Sequence, residues 1–213
     1  FSDDFNRADS TNPGADWNET VESGGGFAIV NNQLMAEPVL YSQPAKALIT
    51  YNQPLSSDNH SSRLDFIYLN LDDDYHSKVW WPAVRIQDSG NFYMCGFGWV
   101  GTLGQYIRIA KKISGSQTVI WQDSHTYSFP CVIQSLVDGS TLSAVIDGNI
   151  MQSVTDTTYS GNLNVGSFLY NNDYSEQGWL IADNWYAEDL TAEARNHFVQ
   201  PGGMLSRFFR QGG

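Results

Sequence analysis

A retaining glycosidase needs two carboxyl groups about 5–5.5 Å apart, one to attack and one to donate a proton. The glutamates of this chain are Glu19, Glu22, Glu37, Glu176, Glu188 and Glu193, and none sits two residues from another acid, the spacing that would put both on one strand face. Only Asp72 and Asp74 are two apart, and Asp72-Asp73-Asp74 reads as a turn. There is no Gly-x-Ser-x-Gly elbow and no Walker loop. Gly96-Phe97-Gly98-Trp99-Val100-Gly101 satisfies Gly-x-Gly-x-x-Gly. That fingerprint must open a helix after a strand, however, and here aromatic, strand-like residues surround it. His60, His76, His125 and His197 show no paired metal spacing, and neither do Cys95 and Cys131, which read as free, buried thiols.

Aromatic side chains offer a different chemistry. Sugars stack their C–H faces on exposed rings while polar neighbours bond the hydroxyls. Trp80 and Trp81 are adjacent on a strand-like run, so they point to opposite sheet faces, and if one is core the other faces outward. Tyr93, Trp99 and Tyr106 lie on neighbouring runs and complete a candidate platform. Core packing is the competing reading for each ring.

The elements that must carry these side chains are strands. Cys131 to Asp156 holds three apolar runs separated by Asp138-Gly139-Ser140 and Asp147-Gly148-Asn149, turn sequences that tolerate positive φ. In the middle run Leu142, Ala144 and Ile146 share one face, and Ser143, Val145 and Asp147 the other. Phe27 to Ala36 reads as strand, Asn31-Asn32 turn, strand. Tyr106 to Lys112 pairs with Val119 to Gln122 across Ser114-Gly115-Ser116. Ala47 to Tyr51, Arg63 to Leu71, Lys78 to Gln87, Phe92 to Val100, Val165 to Tyr170 and Leu180 to Leu190 supply further strands. Strands at this spacing predict an all-β, two-sheet antiparallel sandwich of the jelly-roll kind, one domain over residues 1–190. Residues 191–213 form a C-terminal arm, with one or two helical turns over 192–198 and then Pro201-Gly202-Gly203.

The formal net charge is −12. Arg195, Arg207 and Arg210 against Glu193 give the arm +2, which leaves −14 on the remainder. A body so acidic repels phosphate backbones, so nucleic acid is not expected as a partner. No apolar run approaches a membrane span. The chain begins at Phe1, so a start residue or a processed segment is expected to precede it. Arg207, Phe208, Phe209 and Arg210 join the residue types that anchor interfaces, in a segment either disordered or docked on something else.

The opening Asp3-Asp4-Phe5-Asn6-Arg7-Ala8-Asp9 followed by Trp17 resembles the start of concanavalin A-like lectin/glucanase (laminin-G-like) jelly-roll domains. So do Gly26-Phe27 with Ile29, Asn32 and Leu34, the Asp138–Gly148 segment, and Ala182-Asp183-Asn184-Trp185. The resemblance spans about residues 1–190. It implies a structural calcium where the first and last strands meet, at Asp3, Asp4 and Asp183; these acids could instead cap turns and face water. Asp72-Asp73-Asp74 is a second calcium candidate, though it reads first as a solvated acidic turn. Glucanases of this fold carry Glu-x-Asp-x-Glu or Glu-x-Asp-x-x-Glu on one strand, and this chain has no such strand, so it is expected not to be an enzyme. Domains with this opening are similar to bacteriophage virion proteins and bacterial surface polysaccharide modules. The resemblance therefore implies a virion protein, a capsid decoration or tail component, oligomeric and anchored through the arm to other virion proteins or copies of itself, and touching host polysaccharide. A secreted carbohydrate-binding module is the alternative, and a polysaccharide hydrolase comes third.

Overall fold

The computed structural model describes residues 1–36, 45–69, 77–100, 104–171 and 180–191. The expected helical turns of 192–198, the Asp72–Asp74 turn and the arm residues Arg207 to Arg210 lie outside the described residues. Fifteen strands follow one another: β1 (Ser2–Asp3), β2 (Trp17–Ser23), β3 (Phe27–Val30), β4 (Gln33–Ala36), β5 (Ala45–Tyr51), β6 (His60–Leu69), β7 (Ser77–Asp88) and β8 (Asn91–Val100). Then come β9 (Gly104–Ile113), β10 (Ser116–Ser124), β11 (Cys131–Asp138), β12 (Thr141–Ile146), β13 (Asn149–Thr155), β14 (Asn164–Asn171) and β15 (Leu180–Asp189).

They make two antiparallel sheets. The larger runs β13-β12-β11-β6-β15-β4-β3, with β1 paired to β15; the smaller runs β10-β9-β8-β7-β14-β5-β2. The turn residues account for the hairpins. Asn31 and Asn32, Ser114 and Gly115, and Asp147 and Gly148 all have positive φ, the backbone that two-residue turns between twisted strands require. The Cys131–Asp156 meander is β11-β12-β13, with Val137 opposite Leu142 and Leu142 opposite Val154. Period two works as expected there: Leu142, Ala144 and Ile146 enter the core between the sheets, while Val145 packs with Leu136 and Leu190 on the other face.

The core is aromatic. Phe66 meets Trp80 edge-on at 5.4 Å and Phe97 at 5.1 Å, and Trp17 meets Trp185 edge-on at 4.7 Å. Edge-to-face pairing of this kind adds about 0.5–1.5 kcal/mol per pair beyond area burial. Cys95 and Cys131 are buried and unbridged, and burial pushes both thiols up to about 12, so they are inert.

Buried hydroxyls tie the sheets together. Ser62 Oγ on β6 donates to the Gly166 carbonyl of β14 at 2.9 Å, and accepts from Trp185 Nε1 at 3.0 Å. Ser135 Oγ on β11 accepts from the Cys95 amide at 2.9 Å and donates to the Pro82 carbonyl at 2.6 Å. At one end, the buried Arg85 guanidinium donates to the carbonyls of Tyr159, Asp58 and Gly139 at 2.9, 3.0 and 2.7 Å and pairs with the Asp58 carboxylate, gathering three loops. His60 lies against it: Nδ1 donates to the Ser57 carbonyl at 2.9 Å, leaving Nε2 to accept from the Arg85 amide at 3.4 Å.

Two predictions follow from this packing. A Cβ at Gly166 would overlap the Ile49 carbonyl of the neighbouring strand, which is backbone and cannot move aside. Gly166→Ala is therefore expected to destabilise the protein by about 3 kcal/mol, measured by urea unfolding. Burial lowers the His60 pKa, the nearby Arg85 charge adds to this, and the Ser57 bond with Asp58 and Asp189 opposes it. The unfolded state thus takes up the proton first. His60 contributes its full stability above the unfolded pKa of about 6.5 and loses it as pH falls below that value. Unfolding free energy should fall between pH 6.5 and 5, and His60→Gln should flatten that slope; an equal slope in both proteins counts against the assignment.

Candidate functional site

The rings expected to form a sugar platform are divided and covered. Trp80 lies between the sheets, packed on Phe27 and Phe66, with Nε1 donating to Ser167 Oγ at 2.5 Å. Tyr93 is also in this core; its hydroxyl donates to Asp156 at 2.5 Å and accepts from the Tyr159 amide at 3.0 Å, and burial pushes its pKa up to about 12. Trp81 and Tyr106 do share the outer face of the smaller sheet, so Trp80 and Trp81 oppose each other as alternation requires. Both outer rings are nonetheless buried, 0% and 1% exposed.

Glycines explain how these rings lie. A Cβ at Gly96 would overlap the Trp81 ring, and one at Gly98 would lie 2.5 Å from the Tyr106 hydroxyl oxygen. The Gly-x-Gly of β8 thus leaves room for both rings to lie close to the strand. Trp81 Nε1 donates to the Phe97 carbonyl, and the Arg108 guanidinium stands 4.4 Å from the Tyr106 ring centroid. A ring with no water-facing surface cannot stack a sugar, so Trp80, Trp81, Tyr93 and Tyr106 do not form the expected platform. The Trp99 backbone pairs with Gln105 and Lys78; its side chain lies outside the described residues.

The first and last strands do meet. Ser2 lies opposite Tyr186 and Asp3 opposite Trp185. Asp3, however, is fully engaged: Oδ1 accepts from the Phe5 amide and Arg7 Nη1, both at 2.8 Å, and Oδ2 from Arg7 Nη2 at 2.8 Å and Trp17 Nε1 at 2.7 Å. Burial alone would raise the Asp3 pKa, but these bonds outweigh it and hold the carboxyl below its ordinary value. Asp4 caps the Asn6 amide at 3.0 Å, and Asp183 Oδ2 accepts from Asn184 Nδ2 at 3.3 Å. Among the described residues no three His, Cys, Asp or Glu side chains are grouped to hold a metal. The residues at this junction do not fit a calcium ion, because the Arg7 guanidinium already occupies the carboxylate that would anchor it. Arg7 sits four residues after Asp3 in the same opening motif, a signal the sequence offered.

Beside that ion pair is an open cleft of about 290 Å³, lined by Ser2, Asp3, Asp4, Asp16, Tyr51, Asn184 and Tyr186. Tyr186 is 36% exposed, with the Arg63 guanidinium 4.3 Å from its ring centroid. Tyr51 rests edge-on against Trp17 at 5.4 Å and in a tilted contact against Trp185 at 5.1 Å. Burial raises the pKa of both phenols, and nearby acids add to it: Asp16 and Asp3 for Tyr51, Asp65 for Tyr186. Both therefore remain hydrogen-bond donors at neutral pH. Carboxylates as acceptors, phenols and an amide as donors, and a ring with a free edge suit a hydroxyl-rich ligand. Proton transfer is a different matter. A general acid needs a raised carboxyl pKa, and Asp3 is shifted the other way. Asp16, Tyr51, Asn184 and Tyr186 were missed in the sequence, although Trp185-Tyr186 obeys the same opposite-face rule as Trp80-Trp81.

No protein-family model and no curated protein matches the chain in sequence. Solved structures do match in shape. The metal-free carbohydrate recognition domain of Emp46p superposes with a TM-score of 0.61 at 10% identity, covering 83% of this chain and 89% of that one. An endo-1,3-beta-glucanase from Streptomyces sioyaensis gives 0.57 at 13% identity, covering 89% and 96%. The GH43 protein BlXynB (K247S mutant) from Bacillus licheniformis gives 0.61 at 12% identity, covering 89% of this chain and 39% of that one. The chain has the concanavalin A-like jelly-roll fold, shared by lectins and glucanases. A fold of this breadth does not by itself assign a function.

With Asp3 held by Arg7, adding millimolar calcium is expected to leave Tm unchanged in a thermal melt. A rise of several degrees, reversed by chelator, would return Asp3, Asp4 and Asp183 to the role of metal ligands.

Proposed function

We propose that the protein binds carbohydrate without transforming it, and that the cleft between Tyr51 and Tyr186 is the contact site. The observation that carries this reading is the exposed Tyr186 ring set beside the polar side chains of Asp4, Asp16 and Asn184. The ring offers a stacking edge, and the polar groups reach hydroxyls around it. Solved neighbours that include a carbohydrate recognition domain lend support at the level of fold. A hydrolase shares that fold too, but the alternating carboxylates of its catalytic strand have no counterpart in this sequence, and Asp3 is not a proton donor.

We further place the module on a bacteriophage virion, as a capsid decoration or tail component that touches host polysaccharide. The resemblance of the Asp3–Asp9 opening, and an acidic body joined to a basic arm, support that setting. Mass spectrometry of purified particles tests it: absence of the chain from every particle favours the secreted module.

Binding is tested by glycan array, followed by titration of the best ligand. Tyr186→Ala and Asp16→Asn are each expected to weaken binding about tenfold, the worth of one stacked ring or charged hydrogen bond of roughly 1.4 kcal/mol, with Tm unchanged. No glycan bound, or full affinity in both variants, overturns the site. Release of reducing ends from a bound polysaccharide overturns the non-enzymatic reading.

A further inference from the structure

The cleft between Tyr51 and Tyr186 holds more negative charge than the described chain balances. Asp3 is matched by Arg7 at 2.8 Å, and Asp65, which bears on the Tyr186 phenol, by Arg63 at 3.0 Å. The Phe1 amino group donates to the Ala187 carbonyl at 2.7 Å. Asp4 and Asp16 also line the cleft and are exposed, and among the described residues neither has an ion-pair partner. Their charge reaches the cleft's other groups. Both act on Arg7, Asp16 acts on the Tyr51 phenol, and Asp4 acts with Asp183 on that of Tyr186. Among the described residues no Lys or Arg lines the cleft.

The ligand decides what this surplus costs. A neutral sugar laid over the cleft takes water from two carboxylates and returns only hydroxyl bonds to them. A uronic acid or a sulfated sugar adds a third like charge and is repelled. A protonated amine offsets the charge and makes hydrogen bonds roughly twice as strong as neutral ones. Size narrows the choice further. At about 290 Å³ the cleft is at the small end of ligand pockets, which run from roughly 300 to 1,000 Å³. It suits a short glycan segment, so the charged group and the C–H face that meets Tyr186 belong to the same or adjacent sugars.

We propose that the cleft selects sugars carrying a free amine, of the 2-amino-2-deoxy kind present in de-N-acetylated polysaccharides, with Asp4 and Asp16 holding the ammonium while the sugar ring rests on Tyr186. This rests on the carbohydrate reading above and adds the sign of charge to it. Asp4 and Asp16 are then specificity-determining residues, and the net charge of −12 favours approach of the same ligands.

Three β-1,4-linked trisaccharides that differ only at C2 test it: the trimers of glucosamine, N-acetylglucosamine and glucose, titrated at mildly acidic pH. The glucosamine trimer is expected to bind about tenfold more tightly than either of the others, the worth of one charge-assisted contact. In the D4N/D16N double variant that ratio should fall to about one, with Tm unchanged. The D88N/D123N variant removes two charges outside the cleft and should leave the ratio as it is. Equal affinity for the glucosamine and glucose trimers overturns the proposal. So does tighter binding of the N-acetyl trimer, or an equal loss of preference in D88N/D123N, which assigns the effect to overall charge. A glucose trimer that binds best and is weakened by Tyr186→Ala overturns the charge preference alone and leaves the carbohydrate reading standing. If none of the three binds, this proposal falls, and the glycan array then judges the carbohydrate reading separately.

Discussion

A proline in the middle of a central strand sets the terms for much of this molecule. β7 lies between β14 and β8, and Pro82 brings no amide hydrogen to it. The β7–β8 ladder pairs Val79 with Gly98 and resumes at Ala83 with Met94, so it opens across Trp80–Pro82 and Cys95–Phe97. Each buried backbone group left unpaired there would cost about 1–3 kcal/mol. The chain answers with side chains. Ser135 reaches across from the other sheet to the Cys95 amide and the Pro82 carbonyl, and Trp81 turns its indole N–H onto the Phe97 carbonyl. One defect thus fixes two things, the contact point between the sheets and the orientation of Trp81.

That orientation has a functional consequence. Once its N–H is committed to Phe97 and its ring lies over Gly96, Trp81 is part of the sheet and not a side chain free to meet a ligand. Tyr106 follows it over Gly98, and Arg108 stacks on both. Lys112 extends the face, over Phe92 and Phe168, and is neutralised by Glu22, which also holds Lys46 at 2.5 Å. Arg108 bonds the Gln122 side-chain oxygen and the rings beneath are buried, so this surface offers a sugar no ring to stack on. The ligand contact proposed above lies instead at the rim where β1 meets β15 and where Tyr186 is partly exposed.

The parts of this arrangement that were legible in the sequence are those with local causes. Asn31-Asn32, Ser114-Gly115 and Asp147-Gly148 announce hairpins because few other residues accept positive φ. Leu142, Ala144 and Ile146 announce an inward face because a pleated strand has a period of two. The opposition of Trp80 and Trp81 comes from the same rule. What alternation cannot convey is whether the outward rings of a sheet are themselves buried, as Trp81 and Tyr106 are with Arg108 stacked on both, and for that reason they looked like a platform. β2 was missed because Trp17–Ser23 sits at the sheet edge and alternates weakly, with most of its residues exposed. The cleft was missed because Asp16, Tyr51, Asn184 and Tyr186 meet only through the pairing of β1 with β15 and of β2 with β5.

The Asp3–Arg7 pair shows how a short motif can do the work expected of a metal. A divalent cation at the junction of first and last strands would join carboxylates drawn from distant parts of the chain. Arg7 supplies a permanent cation from within the same loop, in two-pronged contact with Asp3, and Trp17 adds a third donor from β2. The guanidinium satisfies one carboxylate only, so Asp4 and Asp16 remain beside it at the cleft. A metal would draw such acids into its own coordination shell. An internal arginine leaves them exposed as hydrogen-bond acceptors, and this is how a junction built for stability can also serve as the proposed binding surface.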